Sequence, residues 1–330
     1  MRTTTRTDRL TILIGALALL VVAAVAGVSI GTRTVAPAEI WRAFTAFAGT
    51  DDHLVVRDIR LPRTLLGLVI GAALGVAGAL VQTLTRNPLA EPGLLGVSAG
   101  AGFAINLGVL FGLADGPVTQ LLLAVAGCAV ATILVYAVGR TSPLRLVLAG
   151  VALSAVLSGV SLGLRLMWPD VLDEYRFWSV GALAGVAGTP QLIPAIVLLV
   201  ALAGALLVAR PLAVVTLGDD AALALGAHVA RTRTVVLILV TLLAGAATAV
   251  AGPIAFVGLM IPHLARRLAG ASVPWMIGYS ALFGPVLLVL ADVVSRLLLP
   301  TGEVPVAIVT AFAGAPVLIW AVRRYGARSL

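Results

Sequence analysis

An all-α integral membrane protein with ten transmembrane helices is the fold this sequence predicts, and three observations carry the prediction. Of 330 residues, 61% are hydrophobic and 11% are charged, against about 25% charged in soluble domains. The apolar residues are gathered into runs close to the roughly 20 residues that a helix needs to cross the hydrocarbon core. The charges fall between these runs, with arginine concentrated in alternate loops, as the positive-inside rule requires.

In chain order the predicted spans are 10–30, 63–84, 93–113, 117–138, 144–166, 190–209, 233–251, 253–269, 274–298 and 305–322. The first follows "MRTTTRTDRL", which could open a signal peptide. Its apolar run is long for that and more spans follow, so it reads as a retained helix. The second carries Gly67, Gly71 and Gly75, with Ala79 continuing the row. Small residues at this spacing share one helix face and admit another backbone, so this helix is expected to lie against protein, not lipid. Gly96, Gly100, Gly108 and Gly112 suggest the same for the third. Glycine and proline interrupt the third and eighth spans, and the eighth is short. Residues 31–62 read as a long outer loop, and 209–233 as a long inner one. Within the latter, "LGDDAALALG" reads as a short helix opened by acids at its positive end and closed by Gly226. It is either a docking knob for a soluble partner or a membrane-surface helix.

All 22 basic residues are arginine. With the N-terminus inside, fourteen of the 22 lie on the cytoplasmic side (Arg2, Arg6, Arg9, Arg86, Arg140, Arg145, Arg210, Arg231, Arg233, Arg266, Arg267, Arg323, Arg324, Arg328), beside Asp8, Glu91, Asp219 and Asp220. This predicts both termini in the cytoplasm. The exception is "RDIRLPRTLLG", where Arg57, Arg60 and Arg63 stand on the outer side. Positive charge kept there against the bias suggests an acidic partner, or neutralisation by Asp51, Asp52 and Asp58 of the same loop.

The net charge of +8 does not point to nucleic acid, since no soluble, aromatic-bearing scaffold carries the basic residues. Without lysine the chain has no phosphate-binding P-loop, so if transport here is driven by ATP, another polypeptide must hydrolyse it. "GVSAG" (Gly96–Gly100) matches a nucleophile-elbow pattern, but it opens a small-residue membrane helix rather than a strand-to-helix turn. An intramembrane protease using Ser98 with His263 is the variant to consider, and nothing else supports it. His53, His228 and His263 show no metal-ligand spacing, and Cys128 reads as a small buried residue. Asp292 and Arg296, four apart, could pair. No acid reads as lying at the bilayer midplane, which lowers the ion-coupled secondary transporter as a rival.

Several segments together resemble the permease subunits of binding-protein-dependent ABC importers for iron-siderophores, haem and vitamin B12. They are "RLPRTLLGLVIGAALGVAGALVQTLTRNPLAEPGLLGVSAGA" (60–101), "LVLAGVALSA" (146–155), "FWSVGALAG" (177–185), "LGDDAALALG" (217–226), "GPIAFVGLMIPHLARRLAG" (252–270), "LLLVLADVVSRL" (287–298) and "EVPVAIVTAFAGAPVLIWAVRR" (303–324), the last with valine where the family has leucine. "TRNPLAEPGLLGVSAGA" looks most like the ferric-enterobactin-type members. The resemblance implies a type II ABC importer permease fold over a single domain, 1–330, including a coupling-helix loop at 210–231. It also implies a second permease, identical or sibling, two ATPase subunits that carry ATP and Mg, and an extracytoplasmic binding protein. No cofactor on this chain and no enzymatic activity of its own are implied. By position it assigns Arg60, Arg63 and Arg296 to docking of the binding protein. Gly218, Asp219, Ala222, Leu225 and Gly226 are assigned to ATPase coupling. Ser142, Pro143, Leu144 and Arg145 are assigned, from a weaker match, to a cytoplasmic gate.

Overall fold

The computed structural model describes residues 6–139, 143–185, 192–299 and 302–325, and all the regular structure in them is helical. Seven stretches among them are long and apolar enough to cross a membrane: Asp8–Ser29, Asp51–Thr85, Val118–Gly139, Leu144–Met167, Leu192–Val215, Val229–Ala251 and Val273–Leu297. The other three predicted spans coincide with helices that meet that criterion only in part. The third is Val97–Leu110 (14 residues), the eighth Val257–Ala269 (13 residues), and the tenth Val306–Tyr325 (20 residues), within which the apolar stretch among the described residues is Val306–Ile319. Each predicted span thus coincides with a helix, and among the described residues seven of these are long and apolar enough to cross a membrane.

The helices are α1 (Arg6–Ser29), α2 (Pro37–Thr45), α3 (Asp51–Leu54), α4 (Leu61–Thr85), α5 (Val97–Leu110), α6 (Pro117–Gly139), α7 (Pro143–Met167) and α8 (Pro169–Ser179), then α9 (Leu192–Val215), α10 (Asp219–Ala224), α11 (Val229–Ala251), α12 (Val257–Ala269), α13 (Val273–Leu297) and α14 (Val306–Tyr325). The expected outer loop is largely helical. After the amphipathic α2, which exposes Trp41 and Phe44, α3 runs without a break through a wide-turned stretch, Val55–Arg60, into α4. The wide turn has a local cause. Pro62 has no N–H to donate, and the ladder shifts so that Leu61 N–H reaches Val56 O.

α4 is the central post. In its most apolar stretch 78% of residues are buried, against 17% in α1 and in α7. Its partner is α13, antiparallel to it. A Cβ on Gly71 would lie 2.6 Å from Gly284 O, and one on Gly75 would lie 2.7 Å from Ser280 O. Gly67 is looser, at 3.2 Å from Leu183 and Val289 side chains. The tightest approach was not in the i, i+4, i+8 row. A Cβ on Gly78 would overlap the carbonyl of Gly258, the second residue of α12. α5 and α6 meet through the same device, Gly100 against Gly127. The largest hydrophobic cluster runs through α4, α11 and α13 and takes in Cys128, whose S–H points to Val97 O at 3.3 Å.

α5 and α12 begin inside the bundle. The turn at Pro92–Leu95 and the segment 252–256 lie at the level of residues 74–78 of α4, with Pro92 against Gly258. Irregular backbone at membrane depth is tolerated only where protein satisfies it. Here Ala182 N–H donates to Ala251 O (2.9 Å) and Ala307 N–H to Gly181 O (3.1 Å). Gly181 (φ +64) and Gly252 (φ +71) occupy left-handed conformations at the contact, which favours glycine.

Candidate functional site

Two charged clusters sit at opposite ends of α4. At its start the structure brings together Arg60, Arg63 and Arg296 but turns all three inward, with relative exposures of 4%, 9% and 3%. Arg63 forks onto Asp292 (Nε–Oδ1 3.0 Å, Nη2–Oδ1 2.7 Å) and its Nη1 meets Glu303 at 2.6 Å. Asp292 also pairs with Arg296, as the spacing suggested. Arg296 and Arg60 do a second job, because α1 has no basic residue in its last turn. Arg296 donates to the carbonyls of Gly27 (2.9 Å) and Ile30 (3.1 Å), and Arg60 to those of Ser29 (2.7 Å) and Arg33. The open carbonyl end of α1, which carries partial negative charge, is thus closed by arginines from other elements. Glu303 is the member of this cluster nearest solvent, its side chain 28% exposed. The guanidinium groups of the three arginines assigned to docking thus face acceptors within the chain. Arg57 lies apart, over the ring of Phe47.

At the far end, α10 forms a compact knob. Gly218 (φ +110) precedes it, and Gly226 (φ +77) ends it in a paired C-cap, Gly226 N–H to Leu223 O and Ala227 N–H to Ala222 O, both 2.9 Å. Asp219 receives Arg233 (2.8 Å) and Arg86 (3.2 Å). Ala222 is fully buried against Val215 and Val229, so it fastens the knob to the bundle. Leu217, Leu223 and Leu225 are more than 60% exposed and form its outward face. Arg86 is a residue that sequence reasoning passed over. It ends α4 in a left-handed conformation (φ 52) with the same paired C-cap, and its guanidinium also reaches Val215 O at 2.9 Å. Of the gate residues, Ser142 lies outside the described residues, Pro143 opens α7, and Leu144 is 68% exposed and Arg145 exposed beside it.

Between the clusters lies a cavity of about 250 Å³ lined by Leu74, Glu91, Ser98, Thr248 and Gly258 among others. Glu91 was expected at the inner surface and no acid near the midplane. Instead its carboxylate sits beside the middle of α4 and accepts Phe256 N–H at 2.9 Å. Ser98 lines this cavity with no histidine beside it, while His263 faces Arg267.

Comparison with known proteins identifies the family. The model of the FecCD transport family matches residues 19–324. The chain belongs to that family. It is 49% identical to the ferric enterobactin transport system permease protein FepD of Escherichia coli, over 94% of each chain. With the hemin transport system permease protein HmuU of Yersinia pestis it shares 35%, over 93% of this chain and 94% of the other. With the vitamin B12 import system permease protein BtuC of Vibrio cholerae it shares 38%, over 86% of each. A solved structure described as an inward-facing conformation of a metal-chelate type ABC transporter superposes with a TM-score of 0.83 at 29% identity, covering 96% of this chain and 99% of that one. A multi-pass membrane permease of the FecCD family is therefore the frame in which both clusters are read.

Proposed function

We propose that this FecCD-family permease carries an iron(III)-siderophore complex across the cytoplasmic membrane, in a pore formed with a second permease and driven by ATP and Mg on two partner ATPase subunits. The observation that carries the cargo is the 49% identity to a ferric enterobactin permease over nearly the whole chain, against 38% and 35% to vitamin B12 and hemin permeases. Vitamin B12 and haem are the alternatives. The excess of arginine at the α10 end supports both termini in the cytoplasm, with α10 the knob that meets the ATPase and the opposite cluster facing the binding protein. The gate role of Ser142–Arg145 remains part of this reading. Reconstitution with the partner subunits is expected to give ATP-dependent uptake of radiolabelled ferric siderophore. Uptake that follows an ion gradient without ATP would show a secondary transporter instead.

Two substitutions test the ends. Asp219→Ala removes only half-exposed ion pairs, so stability should change by less than about 1 kcal/mol, while the rate of ATP hydrolysis stimulated by loaded binding protein falls about tenfold or more. An unchanged stimulated rate would remove α10 from coupling. At the outer end an acidic lobe gains Arg63 only by exchanging with Glu303, the partner nearest solvent. Glu303→Gln is therefore expected to speed docking several-fold at low salt, where charge acts mainly on the association rate, measured by biolayer interferometry on nanodisc-embedded transporter. Slower docking would place the binding protein's contact on Glu303 itself.

A further inference from the structure

α12 starts inside the bundle, and its first turn needs acceptors that neither surface supplies. The residue before it, Phe256, has φ +69, a conformation disfavoured for a bulky side chain. Its own carbonyl accepts from Leu259 (3.1 Å) and Met260 (2.9 Å), and no side-chain cap comes from α12 itself. The Phe256 amide is taken by Glu91 Oε1 at 2.9 Å, from a connection 165 residues away in sequence. Pro92, next in that connection, packs on Gly258, which in turn sits against the backbone of Gly78. The near end of the same connection is Arg86, bonded to Val215 O and Asp219 at the knob. Residues 86–96 therefore span from α10 to the start of α12. The far end of α12 is tied back to α4 through Arg266 and Gln82 (3.4 Å), with Gln82 also donating to Leu259 O at 3.2 Å.

We propose that Glu91 is a positioning residue that supplies the acceptor α12 lacks, so that the connection 86–96 and α12 move as one body between the α10 knob and the central cavity. Its use in transport rests on the reading of α10 as the ATPase-facing knob, whereas the capping contact does not. The acceptor, not the negative charge, is the working element, and this separates the idea from an intramembrane ion site.

The test uses the full chain in lipid nanodiscs and hydrogen exchange of the amides at 256–258. Glu91→Ala is expected to raise exchange there about tenfold, the effect of losing one hydrogen bond. Glu91→Asp, one methylene short, should do nearly the same while keeping the charge. Glu91→Gln, whose amide oxygen still reaches, should keep most of the protection. Exchange unchanged in Glu91→Ala, or as fast in Glu91→Gln as in Glu91→Ala, overturns the proposal. In proteoliposomes with the partner subunits, Glu91→Ala is expected to hydrolyse ATP while losing most of the cargo moved per ATP, and Glu91→Gln to restore it. A Glu91→Gln protein that keeps its protection yet transports as poorly as Glu91→Ala assigns the role to charge and also overturns it. Absence of ATP-dependent uptake by the wild-type chain would count against the transport reading alone, since the exchange result stands without it.

Discussion

Replacing Asp292 with asparagine is expected to lower stability by about 3–5 kcal/mol, the usual cost of leaving a buried charge without its partner. Asp292 is 1% exposed and is shared by Arg63 and Arg296. Asparagine keeps the shape but removes the charge that balances two buried guanidinium groups. Arg296 is the more vulnerable of the two, since its Nε already lacks a hydrogen-bond partner. The measurement is the unfolding midpoint in detergent micelles, together with the monodisperse fraction on size exclusion. Removing Asp292 together with the two arginines that share it should do less harm. Arg63→Met, Asp292→Leu and Arg296→Met combined are expected to recover much of the loss, because a buried ion cluster compensates a large desolvation cost rather than adding net stability. If Asp292→Asn unfolds at the wild-type midpoint, the cluster is not the staple described here.

Gly78→Ala is expected to damage the packing through sterics alone. The added methyl would overlap the carbonyl of Gly258, which is backbone and cannot turn away. Either α12 moves off α4 or the chain fails to assemble. Overpacking of a tight core contact costs about 1–3 kcal/mol and at times more, and here it also loosens the contact of Pro92 with Gly258. The effect should fall along the helix in the order Gly78, then Gly71 and Gly75, then Gly67, where the neighbours are side-chain methyls at 3.2 Å. Gly15→Ala, with nothing within 4 Å, is the control and should change little. Yield of folded protein and resistance to heating in micelles give the ranking. A Gly78→Ala protein that matches Gly15→Ala would show that α4 and α12 do not touch as described.

The residues explain which parts of this architecture could be read in advance. Apolar run length located a helix for each expected span, and Gly67, Gly71 and Gly75 marked α4 as buried. Run length treats every helix as a full crossing, and it was the interrupting glycines and prolines of the third and eighth spans that marked α5 and α12 as short, at 14 and 13 residues. Glu91 was misplaced for the same reason, counted to the surface because it precedes a presumed span. Gly78 escaped because it follows Gly75 by three rather than four, and both spacings lie on one helical face. The family resemblance selected Arg60, Arg63 and Arg296 as a set, and the structure unites them. Their inward orientation could not be read from the sequence, because Arg63 depends on Asp292 and Glu303, and Arg296 on the carbonyl end of α1, each more than two hundred residues away.

That last dependence bears on how the chain is made. Gly27 at the end of α1 waits for Arg296, which follows it by 269 residues. At a synthesis rate of about 5–20 residues per second the delay is roughly 15–50 s. Through that interval α1 is in place without this clamp, and a chain cut short before α13 never acquires it. The clamp on α1 thus waits for α13 to be made, and a truncated product carries its defect in a helix far upstream of the break.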